Sequence, residues 1–237
     1  MSQRRQYMIT KKDIVEILDK ISKNKTPYLS EAQFQFELAW ELQKIIGEND
    51  KILLEYTACA KKASDGKKKK RFEADIIVKF QNGTYIAIEL KYKTAQAIVD
   101  NIQLIQQAGQ PGTKYDYLWD IRRIELLKEK EKEFEYYIED SRCVGGYAIF
   151  LTNDSSYWGV PKEDTSAYHF RLCDGRIPNE ELQWNVSAEE LKDWMKSREP
   201  FALSGSYEMK WEVFNRYIDK GKEKLFKYLI TTIGDLS

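Results

Sequence analysis

The chain has 237 residues and a formal charge of zero from 38 basic and 38 acidic side chains, so no global field draws it to nucleic acid or to a membrane. An apolar share of 42% against 32% charged excludes a disordered polyelectrolyte and suits one folded core. Cys59, Cys143 and Cys173 are widely spaced and form no CxxC pair. That argues against a disulfide framework or a structural zinc site, and for free thiols in a reducing compartment. No run of about 18 apolar residues is present, and the expectation is a soluble, cytoplasmic protein with no membrane partner.

Residues 1–11 read as a lead-in. Thr10, Asp13 and the apolar series Ile14, Ile17, Leu18 and Ile21 predict a capped amphipathic helix. Residues 24–30 break it, and Ser30 caps a second helix that the sequence carries to about Gly47. On that helix Glu31, Gln35, Leu38, Ala39 and Leu42 share a face, while Glu37, Glu41, Lys44 and Glu48 form a charged face, with Glu37 assigned to solvent. Residues 51–60 predict a first strand, with Glu55 on its solvent side. Seven basic residues fill positions 61–71, a pattern that is usually a solvated loop. Among them Lys67, Lys68, Lys69, Lys70 and Arg71 are candidates for contact with a nucleic-acid backbone.

Residues 72–92 hold the most informative pattern. Phe72–Phe80 and Thr84–Tyr92 are β-rich runs about Gln81-Asn82-Gly83. A three-residue turn with Gly83 in the left-handed position sets Asp75 opposite Glu89 and Glu73 opposite Lys91. Ile76, Val78, Phe80, Ile86, Ile88 and Leu90 then share one face. Asp75, Ile77, Lys79, Tyr85, Ala87, Glu89 and Lys91 share the other, and burial of the apolar face enforces the register. Two carboxylates this close need a cation or a proton between them. Their oxygens suit Mg²⁺ or Mn²⁺.

Residues 106–113 predict a polar bend, followed by a helix from about Tyr115 to Glu133 or beyond, with Asp116, Asp120 and Arg123 on one face. Tyr147–Thr152 reads as a buried strand parallel to the one bearing Glu89, ending in Thr152-Asn153-Asp154. Residues 155–237 are less regular. Strands are predicted at 168–172 and 206–214, a short helix after Ser187, and a final helix to about Leu229. The aromatics Tyr157, Trp158, Trp184, Trp194, Tyr207 and Trp211 are read as core, with base stacking as the alternative. His169 is the lone histidine, which excludes a histidine cluster.

Asp75 followed by Glu89-Leu90-Lys91 at the end of the next strand resembles the PD-(D/E)XK nuclease superfamily, with Ala74 where that family often has proline. ELKYKT, KYDYLWDI and IFLTNDSSYW together also resemble a family of uncharacterised bacterial proteins of this kind. The resemblance implies an α/β restriction-endonuclease-like fold: an αβββαβ core with a mixed central sheet flanked by helices. The core and its N-terminal helices span residues 1–154, and a C-terminal α+β elaboration on the same domain spans 155–237. It also implies a Mg²⁺- or Mn²⁺-dependent nuclease. Asp75, Glu89 and the Leu90 carbonyl would hold the metal, with Glu31 joining through water, and Lys91 would act on the attacking water. Gln35, Gln110 and Tyr115 are supporting candidates. DNA is the implied substrate, with RNA and a homodimer left open, in restriction, phage defence or repair. The alternatives are a catalytically inactive binding module of the same fold and an unrelated α/β protein with a surface ion-pair patch.

Overall fold

The computed structural model describes residues 8–24, 27–60, 72–129, 136–137 and 141–236. Lys67, Lys68, Lys69, Lys70 and Arg71 lie outside the described residues, as does the side chain of Cys59. Helix α1 (Lys11–Ser22) begins with the Thr10/Asp13 capping box, and Ile14, Ile17, Leu18 and Ile21 are its buried face. Helix α2 (Glu31–Gln43) is capped by Ser30 and stops short of the predicted Gly47. Glu41 is not a solvent residue: its carboxylate accepts from Lys20 at 2.5 Å and Lys44 at 2.6 Å, which ties α1 to α2.

Strands β1 (Lys51–Ala60), β2 (Phe72–Lys79) and β3 (Thr84–Lys93) form an antiparallel meander. The β2–β3 turn has Gly83 at φ 79°, and the ladder runs Ile76 to Ile88 through Lys79 to Tyr85, which is the predicted register. A small hairpin unforeseen in the sequence, β4 (Ala97–Val99) and β5 (Ile102–Leu104), precedes helix α3 (Gln110–Glu129). That helix starts about a turn before the predicted Tyr115 and takes in part of the expected bend. After the two-residue strand β6 (Tyr136–Tyr137), β7 (Arg142–Thr152) runs parallel to β3, as the crossover requires.

The last third departs further from expectation. Residues 168–170 form a 3₁₀ turn instead of a strand, and a second 3₁₀ turn at Ala188–Glu190 leads to the short helix α4 (Asp193–Lys196). β8 (Trp211–Asp219) begins five residues after the predicted start. The segment expected as a final helix is β9 (Lys222–Ile233). Lys220 and Gly221, at φ 50° and 73°, make the tight turn between these strands, and Ile230, Thr231, Thr232 and Ile233 carry the β-branched character of a strand. β9 pairs with β7, giving a mixed sheet in the order β6-β1-β2-β3-β7-β9-β8.

Each sheet face is covered. α1 and α2 pack on Ile76, Val78, Ile86, Ile88 and Leu90. α3 and the irregular C-terminal segment pack on Ile77, Tyr85, Ala87, Ala148 and Phe150, with Tyr157, Trp184 and Trp211 in that core. The buried Glu125 of α3 fastens the segment: its carboxylate accepts from the amides of Ser204 and Gly205 and from the Tyr207 hydroxyl. β3 and β7 approach closely at Gly146, where a Cβ would collide with the Ala87 carbonyl oxygen. Gly146→Ala should therefore lower the unfolding free energy by about 2–4 kcal/mol in urea titrations. A loss below about 0.5 kcal/mol would contradict this account of the β3–β7 contact.

Candidate functional site

The β2–β3 ladder stops at Ile76 and Ile88. Continued in the same register, it would set Ala74 opposite Leu90 and Phe72 opposite Tyr92. Instead β2 stays with β1, through Tyr56–Ala74 and Ala58–Phe72, and parts from β3. The expected ladder contacts of Asp75 with Glu89 and Glu73 with Lys91 are thus absent. A notch opens between the strands, and carboxylates occupy it. Asp75 Oδ2 accepts the Leu90 amide at 2.6 Å, and Glu31 Oε2 accepts the Tyr92 amide at 2.6 Å. A buried amide without an acceptor costs about 1–3 kcal/mol, so these side chains replace lost ladder bonds.

α2 brings Glu31 to the notch from its first turn, one turn before the buried Gln35. The Gln35 amide donates to the Asp75 carbonyl and to Glu55 Oε1, each at 2.7 Å. Glu55 is exposed as expected, yet it belongs to this network, and its backbone turns left-handed at φ 49°.

α3 closes the other side. Asp120 Oδ2 lies 2.5 Å from Lys91 Nζ, which also donates to the Leu90 carbonyl at 3.0 Å. Arg123 contacts Asp120 at 3.0 Å and Glu89 at 3.2 Å, and donates to the Glu73 carbonyl. Glu89 and Asp120 are each only 2% exposed. The site therefore unites Glu31, Gln35, Asp75, Glu89 and Lys91 with two residues not assigned to it from sequence, Asp120 and Arg123. Their shared helix face was readable, but the point at which α3 crosses β3 was not.

Gln110 and Tyr115 are elsewhere. Gln110 donates to Asp154 at 3.2 Å, and the Tyr115 hydroxyl donates to the Glu199 carbonyl in a cluster with Trp184 and Phe170. Because α3 begins at Gln110, its first turns lie beyond the site, and Asp120 and Arg123 are the residues that reach it.

Burial dominates the electrostatics. It lifts the Asp75 carboxyl to about 6, against the pull of Lys91 and the Leu90 amide. It also raises Glu31 despite Lys91 and Tyr92, and raises Glu89 well above the ordinary range despite Arg123. Burial would lower Lys91, but Asp120 and Glu89 outweigh it and hold its pKa above the usual lysine value. Lys91 is an ammonium at neutral pH.

Four carboxylates (Glu31, Asp75, Glu89, Asp120) meet two cations (Lys91, Arg123), an excess of two negative charges when all are ionised. In charge and in hard-oxygen chemistry the set fits one divalent cation. Among the described residues, however, no three acids, cysteines or histidines are grouped as a ready metal cage. Nor is any helix there long and apolar enough to cross a membrane. No family model, curated protein or solved structure matches the chain.

Since Asp75 titrates near 6 when folded, against an ordinary value of 3.8, the native state binds more protons between these values. Its contribution to stability therefore falls as pH rises through that window. Asp75→Asn keeps an acceptor for the Leu90 amide and removes the charge. In EDTA at pH 7.5 it should be more stable than wild type by about 1–3 kcal/mol, with the difference vanishing near pH 4. Equal stability at both pH values would refute the electrostatic account.

Proposed function

We propose that the chain is a divalent-metal-dependent nuclease of the PD-(D/E)XK type, with a restriction-endonuclease-like core, acting on phosphodiester bonds of DNA. The observation that carries this reading is the gathering of Asp75, Glu89, Lys91 and Glu31 at one notch in the sheet, in the chain order of that superfamily's motif. Asp75 and Glu89 would hold Mg²⁺ or Mn²⁺ with the Leu90 carbonyl, and Glu31 would join through water. When bound, the ion would polarise a phosphoryl oxygen and lower the pKa of its water.

The chain's own residues set the rest. Asp120 and Glu89 hold Lys91 as an ammonium, which suits it to donate hydrogen bonds and to offset charge on the phosphorane. Asp120 holds that ammonium in place. Glu31 and Asp75 each use one oxygen on a backbone amide, which fixes the carboxylates while leaving each a second oxygen.

One observation favours a second reading. Arg123 already contacts Glu89, and Lys91 already contacts Asp120. A site closed by its own cations suits a catalytically inactive module of the same fold that binds nucleic acid or protein.

Mn²⁺ calorimetry and cleavage of plasmid DNA decide between the two. Under the nuclease reading, wild type binds Mn²⁺ and cuts, while Asp75→Asn and Glu89→Gln lose cleavage by at least about 100-fold and weaken metal binding. Asp120→Asn, acting through Lys91, should lower kcat about 10- to 100-fold with metal affinity largely kept. Cleavage by Asp75→Asn at the wild-type rate would eliminate the nuclease assignment. A wild type that neither binds Mn²⁺ nor cuts, with DNA present, would favour the inactive module.

A further inference from the structure

Among the described residues outside the notch, one buried lysine forms no ion pair. Lys114, in the first turns of α3, is 9% exposed. Among the described residues it forms no hydrogen bond and no ion pair; its ammonium lies over the Tyr157 ring, 5.8 Å from the centroid, within electrostatic range of Asp154. The stem is enclosed, but the ammonium is not sealed from solvent. Burial presses its pKa down, and Asp154 pulls the other way.

Asp154 makes no ion pair with it. That carboxylate accepts from the Ser156 amide at 2.9 Å, from Gln110 at 3.2 Å and from Gln106 at 3.4 Å. Burial would raise its pKa, but these hydrogen bonds outweigh burial and keep it below the ordinary range. Asp154 thus favours the ammonium form of Lys114 from a distance. The α3 N-terminus adds a second positive element, since its first turn carries no acidic residue.

The position is the one where open sheets receive ligands. β3 and β7 run parallel, Lys93 pairs with Thr152 at their carboxyl ends, and Asp154 follows two residues on. Six residues separate Lys114 from Asp120 along α3, about 9 Å of helix rise. At about 3.6 residues per turn the two side chains also stand on different sides of α3, so Lys114 would meet a different phosphate from the one at the notch.

We propose that Lys114 and the first turn of α3 form a phosphate-binding subsite, holding a DNA backbone phosphate other than the one at the acidic notch. This rests on the nuclease reading and adds to it where the substrate strand runs: from the notch along α3 toward the carboxyl ends of β3 and β7. A buried ammonium lacking an ion pair costs stability, and methionine would fill the same space without that cost. The subsite thus has a signature that a packing role lacks: neutralising Lys114 strengthens the fold and weakens DNA binding.

The test is equilibrium binding of a short DNA duplex, in EDTA to prevent cutting, across about 50–200 mM salt. Lys114→Met and Lys114→Gln should melt no lower than wild type and bind about three- to tenfold more weakly. The slope of log K against log salt should become shallower by about 0.9, the value of one phosphate contact. Lys114→Arg should keep the wild-type slope. Unchanged affinity and slope in the neutral variants would overturn the subsite, as would weaker binding with the slope intact, or a wild type that does not bind the duplex. Cleavage by Asp75→Asn, measured in parallel with Mn²⁺, separates the two ideas. If its cleavage is lost while the Lys114 variants bind like wild type, the nuclease reading stands and the subsite falls.

Discussion

The site depends on two carboxylates that do the work of a backbone. Where β2 leaves β3, the amides of Leu90 and Tyr92 lose their ladder acceptors, and Asp75 and Glu31 supply them. An antiparallel pair that ends inside a sheet would ordinarily leave unpaired donors in a dry place. Here the acids make the opening tolerable, and the opening brings α2, on one face, into contact with groups on the other. Without it, Glu31 and Gln35 would be separated from Glu89 and Lys91 by the sheet.

Satisfying amides does not by itself make four buried acids stable. Lys91 and Arg123 compensate part of their charge, and both are positioned through α3. That helix is fixed in turn by the parallel β3–β7 crossover and, one turn past Asp120, by Glu125 gripping the 204–207 segment. The C-terminal third therefore braces the element that supplies a third of the site's charges, Asp120 and Arg123, although none of its own side chains enters the notch among the contacts described. The cost of crowding carboxylates in one place is the usual cost of a binding site: stability given up locally for chemistry.

How much of this was legible depended on the range of the interaction. The β2–β3 register followed from local chemistry, since Asn82-Gly83 and strict alternation leave one arrangement that buries Ile76, Val78, Ile86 and Ile88 together. The caps at Thr10 and Ser30 and the parallel placement of β7 were equally local or topological. The sequence of β9 reads as a helix because Leu225, Phe226, Leu229 and Ile230 also fit a helical period, and only the Lys220-Gly221 turn marks it as the second strand of a hairpin. Asp100-Asn101 likewise held the signature of a two-residue turn, at φ 48° and 66°, between strands too short to show alternation. Asp120, Arg123 and the end of the β2–β3 ladder were not readable, because each is set by where distant elements cross. No propensity encodes that.

The notch also makes the backbone a reporter of side-chain charge. The Leu90 and Tyr92 amide protons point at carboxylates whose pKa values burial raises, that of Asp75 to about 6, whereas their neighbours in the ladder point at carbonyls that never titrate. In a nitrogen–proton correlation spectrum these two resonances would move with the protonation of Asp75 and Glu31 and with anything that draws on their oxygens. The fold thus carries, at its most acidic point, two built-in probes that need no label beyond the backbone itself.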